Sequence, residues 1–257
     1  MYTPHPTVFK QPLDESISVW RYMDLSKFIW MIQREALFYC RSDSLGDPFE
    51  GHYTKVIADQ EEEHINTLRA NNEFAAIAAA VNAEEMAREV YRARTLELPK
   101  QLKQKYFVSC WHMNEEESPA MWKLYTSQNE SICIRSKYKT LASLLPEQSL
   151  LGIVEYIDYH RESFDTTEMW SYIIHKRKSF QHEQEIRAAI YRGETCPFES
   201  VGEKGLVVPI NIATLIEEII VSPTSKSPLT EVVEGLAKKY GLKAPVERSR
   251  VNDEPEW

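Results

Sequence analysis

Short runs of apolar, β-branched and aromatic residues recur along almost the whole chain, and this pattern constrains the fold more than any other feature of the sequence. Runs of this length and composition, bounded by turn-forming residues, predict β-strands. They are also too interrupted by charge to span a membrane. The predicted strands cover residues 17–23, 37–40, 106–111, 131–136, 151–159, 185–191, 205–210, 216–222 and 244–251.

Segments with apolar residues at helical spacing lie between these runs. The strongest covers residues 55–105, where the part at 73–94 is rich in Ala, Glu and Arg and where Pro99 is expected to interrupt the helix. Further helices are predicted over 25–37, 120–125, 167–180 and 228–240. This order favours a single α+β domain over residues 1–257, with a mainly antiparallel sheet, flanking helices and a helical insertion at about 55–105.

The net charge and the low glycine content limit the class of ligand that the chain is expected to bind. The chain has 39 acidic and 30 basic residues, a formal net charge of −9, which disfavours binding to duplex nucleic acid. Only 8 of the 257 residues are glycine, and no Gly-rich phosphate loop of the P-loop or Rossmann type is present. The expected partner is a small-molecule nucleotide held by other means, or a protein of unknown identity.

The chain is expected to be cytoplasmic and to keep its cysteines reduced. Cys40, Cys110, Cys133 and Cys196 form no CxxC pair, so zinc-ribbon spacing is absent. Residues 1–11 lack the regions of a secretory signal. Thiols stay reduced in the cytoplasm, and the four cysteines are expected to be structural.

The loop at residues 47–51 (DPFEG) places Asp47 and Glu50 three positions apart, close to Phe49. Asp before Pro favours an extended or turn conformation, so one interpretation is a turn that the Asp47 side chain caps. The other is a ligand-facing loop whose carboxylates accept hydrogen bonds from ribose hydroxyls or amides. Arg41, nearby in sequence, would then bind a phosphate through paired, charge-assisted hydrogen bonds.

Glu183 and Glu185 lie two positions apart where a strand is predicted to begin, so both carboxylates can project from one side. Such a pair can bind a sugar hydroxyl and stabilise an oxocarbenium-like centre, or it can form surface salt bridges. The basic run at 175–178, which includes Lys178, either complements a helix dipole or binds phosphate. A metal site from His182 and these glutamates lacks a second cluster of ligands, and no metal is expected.

Arg21 and Tyr22 lie in the first predicted strand, where adjacent side chains face opposite ways. A buried arginine needs a partner. The two interpretations of Arg21 are an ion pair with Asp47 or Glu50 and a contact with a ligand.

Three aromatic residues, Trp111, Trp122 and Tyr125, are interpreted either as core or as walls of a ligand site. Cys110 and His112 lie two apart on one strand face. They could act as a nucleophile and its base, but the sequence shows no third residue that would orient the histidine. Cysteine catalysis is therefore disfavoured.

Five segments, taken together, resemble the bacterial family called domain of unknown function 2971. They are residues 20–23 (WRYM), 38–51 with its closing DPFEG, 108–112 (VSCWH), 121–125 (MWKLY) and 176–187, which contains Glu-x-Glu-x-Arg and ends at Arg187. The similarity spans nearly the whole chain except the helical insertion. The closing strand at 216–223, with the helix and strand after it, also looks like that family.

More remotely, the chain is similar to ADP-ribosyltransferase-like folds. Those folds begin with a strand that carries Arg or His, continue with a helix and a second strand, and carry a catalytic Glu on a later strand, often in a Glu-x-Glu pair. Arg21, the strand at 38–42 and Glu183-x-Glu185 occupy this order here. The Ser-Thr-Ser motif of the arginine-type toxins is missing, and a second-strand Tyr is present only if Tyr39 serves.

This resemblance implies a split sheet and NAD as the substrate. Arg21 would hold a phosphate or ribose of NAD, and Tyr22 or a later aromatic residue would stack on nicotinamide. Glu185, with Glu183, would bind the ribose hydroxyl and stabilise the oxocarbenium-like transition state. The other candidate substrate-binding residues are Arg41, Asp47, Phe49, Glu50, Trp111, Trp122, Tyr125, Lys178 and Arg187.

The sequence thus predicts an NAD-utilising enzyme, ADP-ribosyltransferase-like or NAD glycohydrolase-like, in the phage-defence or toxin context that the resemblance implies. A non-catalytic nucleotide-sensing or protein-partner-binding domain is the alternative. A metal-dependent nuclease built from Asp47, Glu50, Glu183 and Glu185 is disfavoured by the net charge and by the lack of a Glu-x-Lys pair.

Overall fold

The computed structural model describes residues 8–71, 83–127, 129–226 and 228–255, which form a mixed structure of helices and strands. The strands are β1 (Ser18–Asp24), β2 (Ala36–Arg41), β3 (Tyr106–Met113), β4 (Ser131–Lys137), β5 (Leu150–Ile153), β6 (Glu155–Ile157), β7 (His175–Arg177), β8 (Glu185–Tyr191), β9 (Glu199–Val201), β10 (Gly205–Pro209), β11 (Glu218–Val221) and β12 (Val246–Arg248). The helices are α1 (Leu25–Arg34), α2 (Lys55–Ala70), α3 (Ala83–Arg92), α4 (Leu98–Lys103), α5 (Pro119–Tyr125), α6 (Tyr138–Leu144), α7 (Ser171–Ile174), α8 (Ile212–Leu215) and α9 (Leu229–Lys239).

Most strand pairs are antiparallel. The large sheet has ten strands in the order β12-β11-β4-β1-β3-β2-β10-β9, with β8 beside β3 and β5 beside β8. Among the described strands, the parallel pairs are β11 with β12 and β6 with β7, and the second of these is a separate small sheet. The predicted α+β class with a mainly antiparallel sheet is confirmed.

The large sheet divides in the middle of β3. One edge of β3 pairs with β8 over residues 106–112. The opposite edge pairs with β2 at residues 107–108 and with β1 at residues 112–113, and the register leaves residues 109–111 with neither. The strands β1 and β2 therefore diverge from β3 as a fork, and the sheet is split as predicted.

The two faces of the large sheet are packed differently. Because successive side chains of a strand face opposite sides, Val19, Phe107 and Ile186 lie on the face that holds the largest apolar core, here called the main-core face. The opposite face, here called the site face, carries smaller apolar clusters, one of which contains Tyr22 and Trp122. The charged side chains of β8 also point to the site face.

Residues 167–180 do not form the predicted helix. The chain makes only the short helix α7, then β7, and then a 3-10 segment, Lys178–Glu183. Most residues of this segment have only intermediate helix propensity, so the local preference for a helix is weak. Pairing of β7 with β6, and the buried ion pairs of Lys176 described below, outweigh that preference.

Pro99 does not interrupt the helix as predicted. It occupies the first turn of α4, and the five residues before that helix form a π-helical segment, Ala93–Glu97, which joins α3 to α4. The wider π turn accommodates a residue that lacks an N–H and crowds the preceding turn. The part of the predicted helix at residues 73–82 lies outside the described residues.

The predicted strand at 151–159 is two strands. The first, β5, pairs with β8 in the large sheet, and the second, β6, pairs with β7. All four cysteines are free thiols. Within the described ranges, the helices are too short or too polar to cross a membrane.

Candidate functional site

A cluster of charged side chains is buried on the site face, where β8, β7 and the loop after β2 meet. Its members are Glu50, Lys176, Glu183, Glu185 and Arg187, here called the charged cluster, and none is more than 6% exposed. Glu185 and Arg187 are successive positions of β8 on the site face, Lys176 lies in β7, Glu183 ends the 3-10 segment, and Glu50 comes from the DPFEG loop. Charges this deeply buried persist only when they are paired.

Lys176 joins the three carboxylates. Its ammonium donates to Glu183, lies 3.2 Å from Oε2 of Glu185 and lies 4.0 Å from Oε2 of Glu50. Arg187 holds the opposite side of the cluster. Its Nε and Nη2 lie 2.8 Å and 2.7 Å from Oε1 of Glu185, and its Nη1 lies 2.5 Å from Oε1 of Glu50 and donates to the carbonyl of Ile173.

These contacts set the protonation of Glu185. Burial by itself would raise the pKa of Glu185, but Arg187 and Lys176 outweigh it and lower the pKa to about 2. Glu185 is therefore a carboxylate at neutral pH. Burial would likewise lower the pKa of Lys176, but Glu185 and Glu50 raise it, so the ammonium stays charged.

Glu50 behaves differently from its neighbour. Burial raises the pKa of Glu50, Arg187 opposes this shift, and Glu185 adds to it. Neither Glu50 oxygen accepts a hydrogen bond of good geometry from a described residue, although Arg187 is close. Two carboxylates whose environments push their pKa values apart are a common feature of acid–base sites. With all five groups ionised, the cluster carries three negative and two positive charges.

Glu183 is bonded directly to a partly exposed side chain. The hydroxyl of Tyr125 donates to its Oε1 at 2.5 Å, and Tyr125 is 42% exposed at the end of α5. Burial and the bond to Glu183 raise the pKa of Tyr125, which keeps the hydroxyl protonated. Tyr125 thus connects this buried carboxylate to the surface.

A patch of aromatic and cationic side chains lies beside the charged cluster. It consists of Phe49, Arg177, Lys178 and Phe180, here called the rim. The Arg177 guanidinium lies 4.3 Å from the centre of the Phe49 ring and 5.3 Å from that of Phe180, and Phe49 is 42% exposed. Lys178 pairs with Glu162 at 2.5 Å in an exposed position.

Asp47 fixes the rim to the fold. Its carboxylate accepts hydrogen bonds from Nη2 and Nε of Arg177 at 2.6 Å and 3.0 Å, and it caps the turn by accepting from the Phe49 amide at 3.0 Å. The Asp47 side chain is fully buried. It therefore serves as the predicted turn cap, and it reaches a potential ligand only through Arg177.

Arg21 lies in the fork of the sheet, away from the charged cluster. Its Nη1 donates to Ser109 Oγ at 2.7 Å, its Nη2 donates to the Phe38 carbonyl at 3.1 Å, and its guanidinium lies 5.5 Å from the Trp111 ring. By strand register, Arg21 and Trp111 belong to the main-core face and Glu185 to the site face. Burial lowers the pKa of Arg21.

The predicted ion pair of Arg21 with Asp47 or Glu50 is not formed. Those two carboxylates pair with Arg177 and Arg187 instead, and no carboxylate of the described residues pairs with Arg21.

The aromatic residues Tyr22 and Trp122 lie on the site face. Their rings meet edge to face at 5.1 Å, and Tyr22 also lies 6.2 Å from the His112 ring. The Tyr22 hydroxyl accepts from the Ser118 amide at 2.7 Å, so it helps to place the start of α5. Arg41 is elsewhere: its guanidinium pairs with Asp43 through Nε and Nη2 at 2.7 Å and 2.9 Å.

The predicted site residues therefore divide into two groups. The structure brings together Asp47, Phe49, Glu50, Tyr125, Lys178, Glu183, Glu185 and Arg187, with Tyr22 and Trp122 adjacent. It places Arg21, Arg41 and Trp111 apart from them.

Sequence reasoning missed the importance of Lys176 and Arg177. Both lie in the basic run that was expected at a helix end, yet they occupy a strand where alternate side chains face opposite ways, and Lys176 faces the cluster. His112 and Phe180 were also not assigned to the site. The signal for Lys176 was the Glu-x-Glu pair that comes after it, because two inward carboxylates require a buried cation.

Among the described residues, no group of three or more His, Cys, Asp or Glu side chains is arranged to hold a metal ion. Lys176 contacts all three glutamates of the charged cluster.

Comparison with known proteins finds distant structural similarity only. No family model and no curated protein matches the chain, so membership of the domain of unknown function 2971 family stays a prediction. Among solved structures, the chain is similar to Thermus sp. 2.9 DarT in complex with ADP-ribosylated ssDNA, at 13% identity and a TM-score of 0.40, over 94% of this chain and 97% of that chain. The same DarT in complex with NAD+ matches at 11% identity and a TM-score of 0.40, over 93% and 98% of the two chains.

Proposed function

We propose that the protein is an NAD-utilising enzyme, ADP-ribosyltransferase-like or NAD glycohydrolase-like, and that the charged cluster is its catalytic centre. One observation carries the proposal: a buried cluster that holds three carboxyl groups lies directly beside an exposed aromatic and cationic rim. Such a centre favours positive charge that develops in a transition state, because the carboxylates are fixed in a site from which water is excluded. Cleavage of the nicotinamide glycosidic bond develops that charge on the ribose.

The two carboxylates of the Glu-x-Glu pair take different roles in this proposal. Glu183 is the group that we assign to the ligand, because its Oε1 is bonded to the partly exposed Tyr125, whose hydroxyl a ligand can displace, whereas the partners of Glu185 are both buried. Both oxygens of Glu185 are held by Arg187 and Lys176, so Glu185 acts as a positioning residue that fixes the Lys176 ammonium against Glu183.

The rim supplies the groups that a dinucleotide needs outside the catalytic centre. Phe49 and Phe180 offer ring faces for a base or for nicotinamide. Arg177 and Lys178 offer positive charge for the two phosphates, in a protein that is acidic elsewhere. This assignment moves phosphate binding from Arg21, in the fork, to the rim. The phage-defence or toxin context implied by the family resemblance is kept as the biological setting of the proposal.

Nicotinamide release from NAD tests the proposal. Glu183→Gln keeps the shape of the side chain and a hydrogen-bonding group while removing its charge, so we expect the rate of release to fall by about 10²–10³-fold. Glu199→Gln is the matched control, because Glu199 is an exposed carboxylate paired with Arg34 on a distant edge strand, and its rate should equal that of the wild type. A wild-type protein that neither binds nor cleaves NAD contradicts the proposal.

A second candidate is a non-catalytic nucleotide-sensing or partner-binding domain. The complete pairing of Glu185 favours it, because an ion-pair network of this kind also serves fold stability alone. It predicts that calorimetry detects binding of NAD or a related nucleotide while no nicotinamide is released over hours.

A further inference from the structure

His112 presents a buried ring nitrogen that has no partner among the described residues. The residue lies in β3 directly opposite Glu185, on the site face, and is 3% exposed. Its Nδ1 lies 2.6 Å from the backbone carbonyl oxygen of Glu183. Its Nε2 is fully buried and makes no hydrogen bond within the described part of the chain. Buried polar atoms without a partner are uncommon in folded proteins, and this one requires an explanation.

The contact with Glu183 fixes the tautomer of the ring. A carbonyl oxygen only accepts hydrogen bonds, so Nδ1 carries the proton and Nε2 of the neutral ring carries a lone pair. Burial lowers the pKa of His112, with a smaller contribution from His182 in the same direction, while the contact with Glu183 raises it. The titratable groups around the ring are Tyr22 of β1, Glu183 and His182, together with Glu185, which lies opposite it on β8. The ring is thus neutral at pH 7, with an acceptor at Nε2.

The position of this acceptor matches a missing part of the proposed reaction. Transfer of ADP-ribose, or its hydrolysis, requires a base for the nucleophile. Lys176 is held as an ammonium, Glu185 is fully paired, and Glu183 is assigned to the ribose. On the proposed function described above, we infer that His112 is a further catalytic residue, whose Nε2 accepts the proton of the attacking O–H or N–H group.

The atoms and electrons of this step balance. The oxygen or nitrogen of the nucleophile, which is water in the glycohydrolase case, forms a bond to C1′ of the nicotinamide ribose. The bond between C1′ and the nicotinamide nitrogen breaks, and its electron pair leaves with nicotinamide, which is released as a neutral molecule. The proton of the nucleophile moves to Nε2, and the resulting imidazolium is stabilised by the Glu183 carbonyl and by the carboxylate of Glu185, which lies opposite His112, before it returns the proton to solvent.

The helix α5 packs on both neighbours of His112, through Trp122 on Tyr22 and through Tyr125 on Glu183. Because Nε2 is fully buried, the inference requires the packing around His112 to open when the nucleophile binds.

His112→Asn tests the inference, because an Asn amide can still donate to the Glu183 carbonyl where Nδ1 does, but offers no base at the position of Nε2. We expect the rate of ADP-ribose transfer or NAD hydrolysis to fall by about 10²–10⁴-fold, the acidic limb of the pH–rate profile to disappear, and NAD affinity by calorimetry to stay within about 3-fold. His160→Asn, at an exposed turn, is the control.

A second measurement does not depend on turnover or on the folding of the variant. The ¹⁵N spectrum of the wild-type imidazole should show a protonated Nδ1 and an unprotonated Nε2 at pH 7. The opposite tautomer overturns the inference, as does an His112→Asn variant with the wild-type rate and pH profile in an active enzyme. A wild-type protein that is inert towards NAD overturns the proposed function and this role with it, so the two failures are distinguishable.

Discussion

At the scale of single residues, two arginines, one lysine and four carboxylates meet on the site face. They come from distant parts of the sequence. Arg187 and Arg177 each hold one member of the DPFEG loop, Glu50 and Asp47. Removal of one partner from such a pair leaves an uncompensated buried charge, which costs far more than the pair contributes relative to an apolar replacement. The members of the cluster should therefore differ sharply in their effects on stability.

Glu185→Gln and Glu50→Gln provide the first comparison. Glu185→Gln leaves Lys176 and Arg187 without their shared carboxylate, and we expect it to lower the free energy of unfolding at pH 7 by about 3–5 kcal/mol. Burial disfavours the charge of Glu50, so its neutral replacement should cost about 1 kcal/mol or less. Urea unfolding of both variants measures the difference, and equal losses would contradict the assigned charge states.

The pH dependence of stability gives a second prediction. The folded-state pKa of Glu185 is about 2 and lies below the unfolded value of 4.5, so its contribution is complete above about pH 4.5 and is lost as the pH falls toward 2. The raised pKa of Glu50 acts in the opposite sense. Its contribution to the stability of the fold is lost as the pH rises above 4.5. Thermal unfolding from pH 6 to pH 2 should show a smaller acid-induced loss in Glu185→Gln than in the wild type. Parallel curves for the two proteins would contradict this.

At the scale of elements, the loop at residues 47–51 is joined to β7 by the pair of Asp47 with Arg177. Asp47→Asn should lower the free energy of unfolding by about 3 kcal/mol, because the Asp47 side chain is fully buried, and should speed hydrogen exchange of the amides after it in the loop. Asp43→Asn is the matched control. It breaks a similar two-bond pair with Arg41, but the Asp43 carboxylate is partly exposed where that of Asp47 is buried, so we expect a cost of about 1 kcal/mol or less. Equal losses of unfolding free energy in the two variants would contradict the role that we assign to Asp47 in holding the rim to the loop.

The strands and the helices differ in how well the sequence predicts them. Strands such as β1, β3 and β8 were predicted to within about two residues, because runs of apolar and aromatic residues on a buried sheet are strong local signals. The prediction of a helix over 167–180 was wrong. The structure of this segment is determined by ion pairs and by pairing with β6, and the local spacing of apolar residues contains no information about either. The order along the chain of the strands that carry the site residues was also predicted. The face of the sheet on which each side chain lies depends on the register between strands that are distant in sequence, and the sequence alone does not show this register.

At the scale of the whole molecule, the split sheet explains why only part of the predicted site assembles. The family order of Arg21, second strand and Glu-x-Glu was read from the sequence, and the split sheet that it implies is present. The fork nevertheless directs Arg21 to Ser109 and Phe38, while the charged cluster forms on the opposite face around Lys176, a residue that the linear pattern assigned to a helix end.

In the proposed function, NAD binds on the site face, between the rim and Glu183. A crystal structure of the Glu183→Gln variant with NAD tests it most directly, since this variant should retain the substrate uncleaved. We expect density for the nicotinamide ribose within hydrogen-bond distance of the substituted side chain, with the phosphates near Arg177 and Lys178. NAD bound in the fork beside Arg21, or anywhere else on the main-core face, would contradict it.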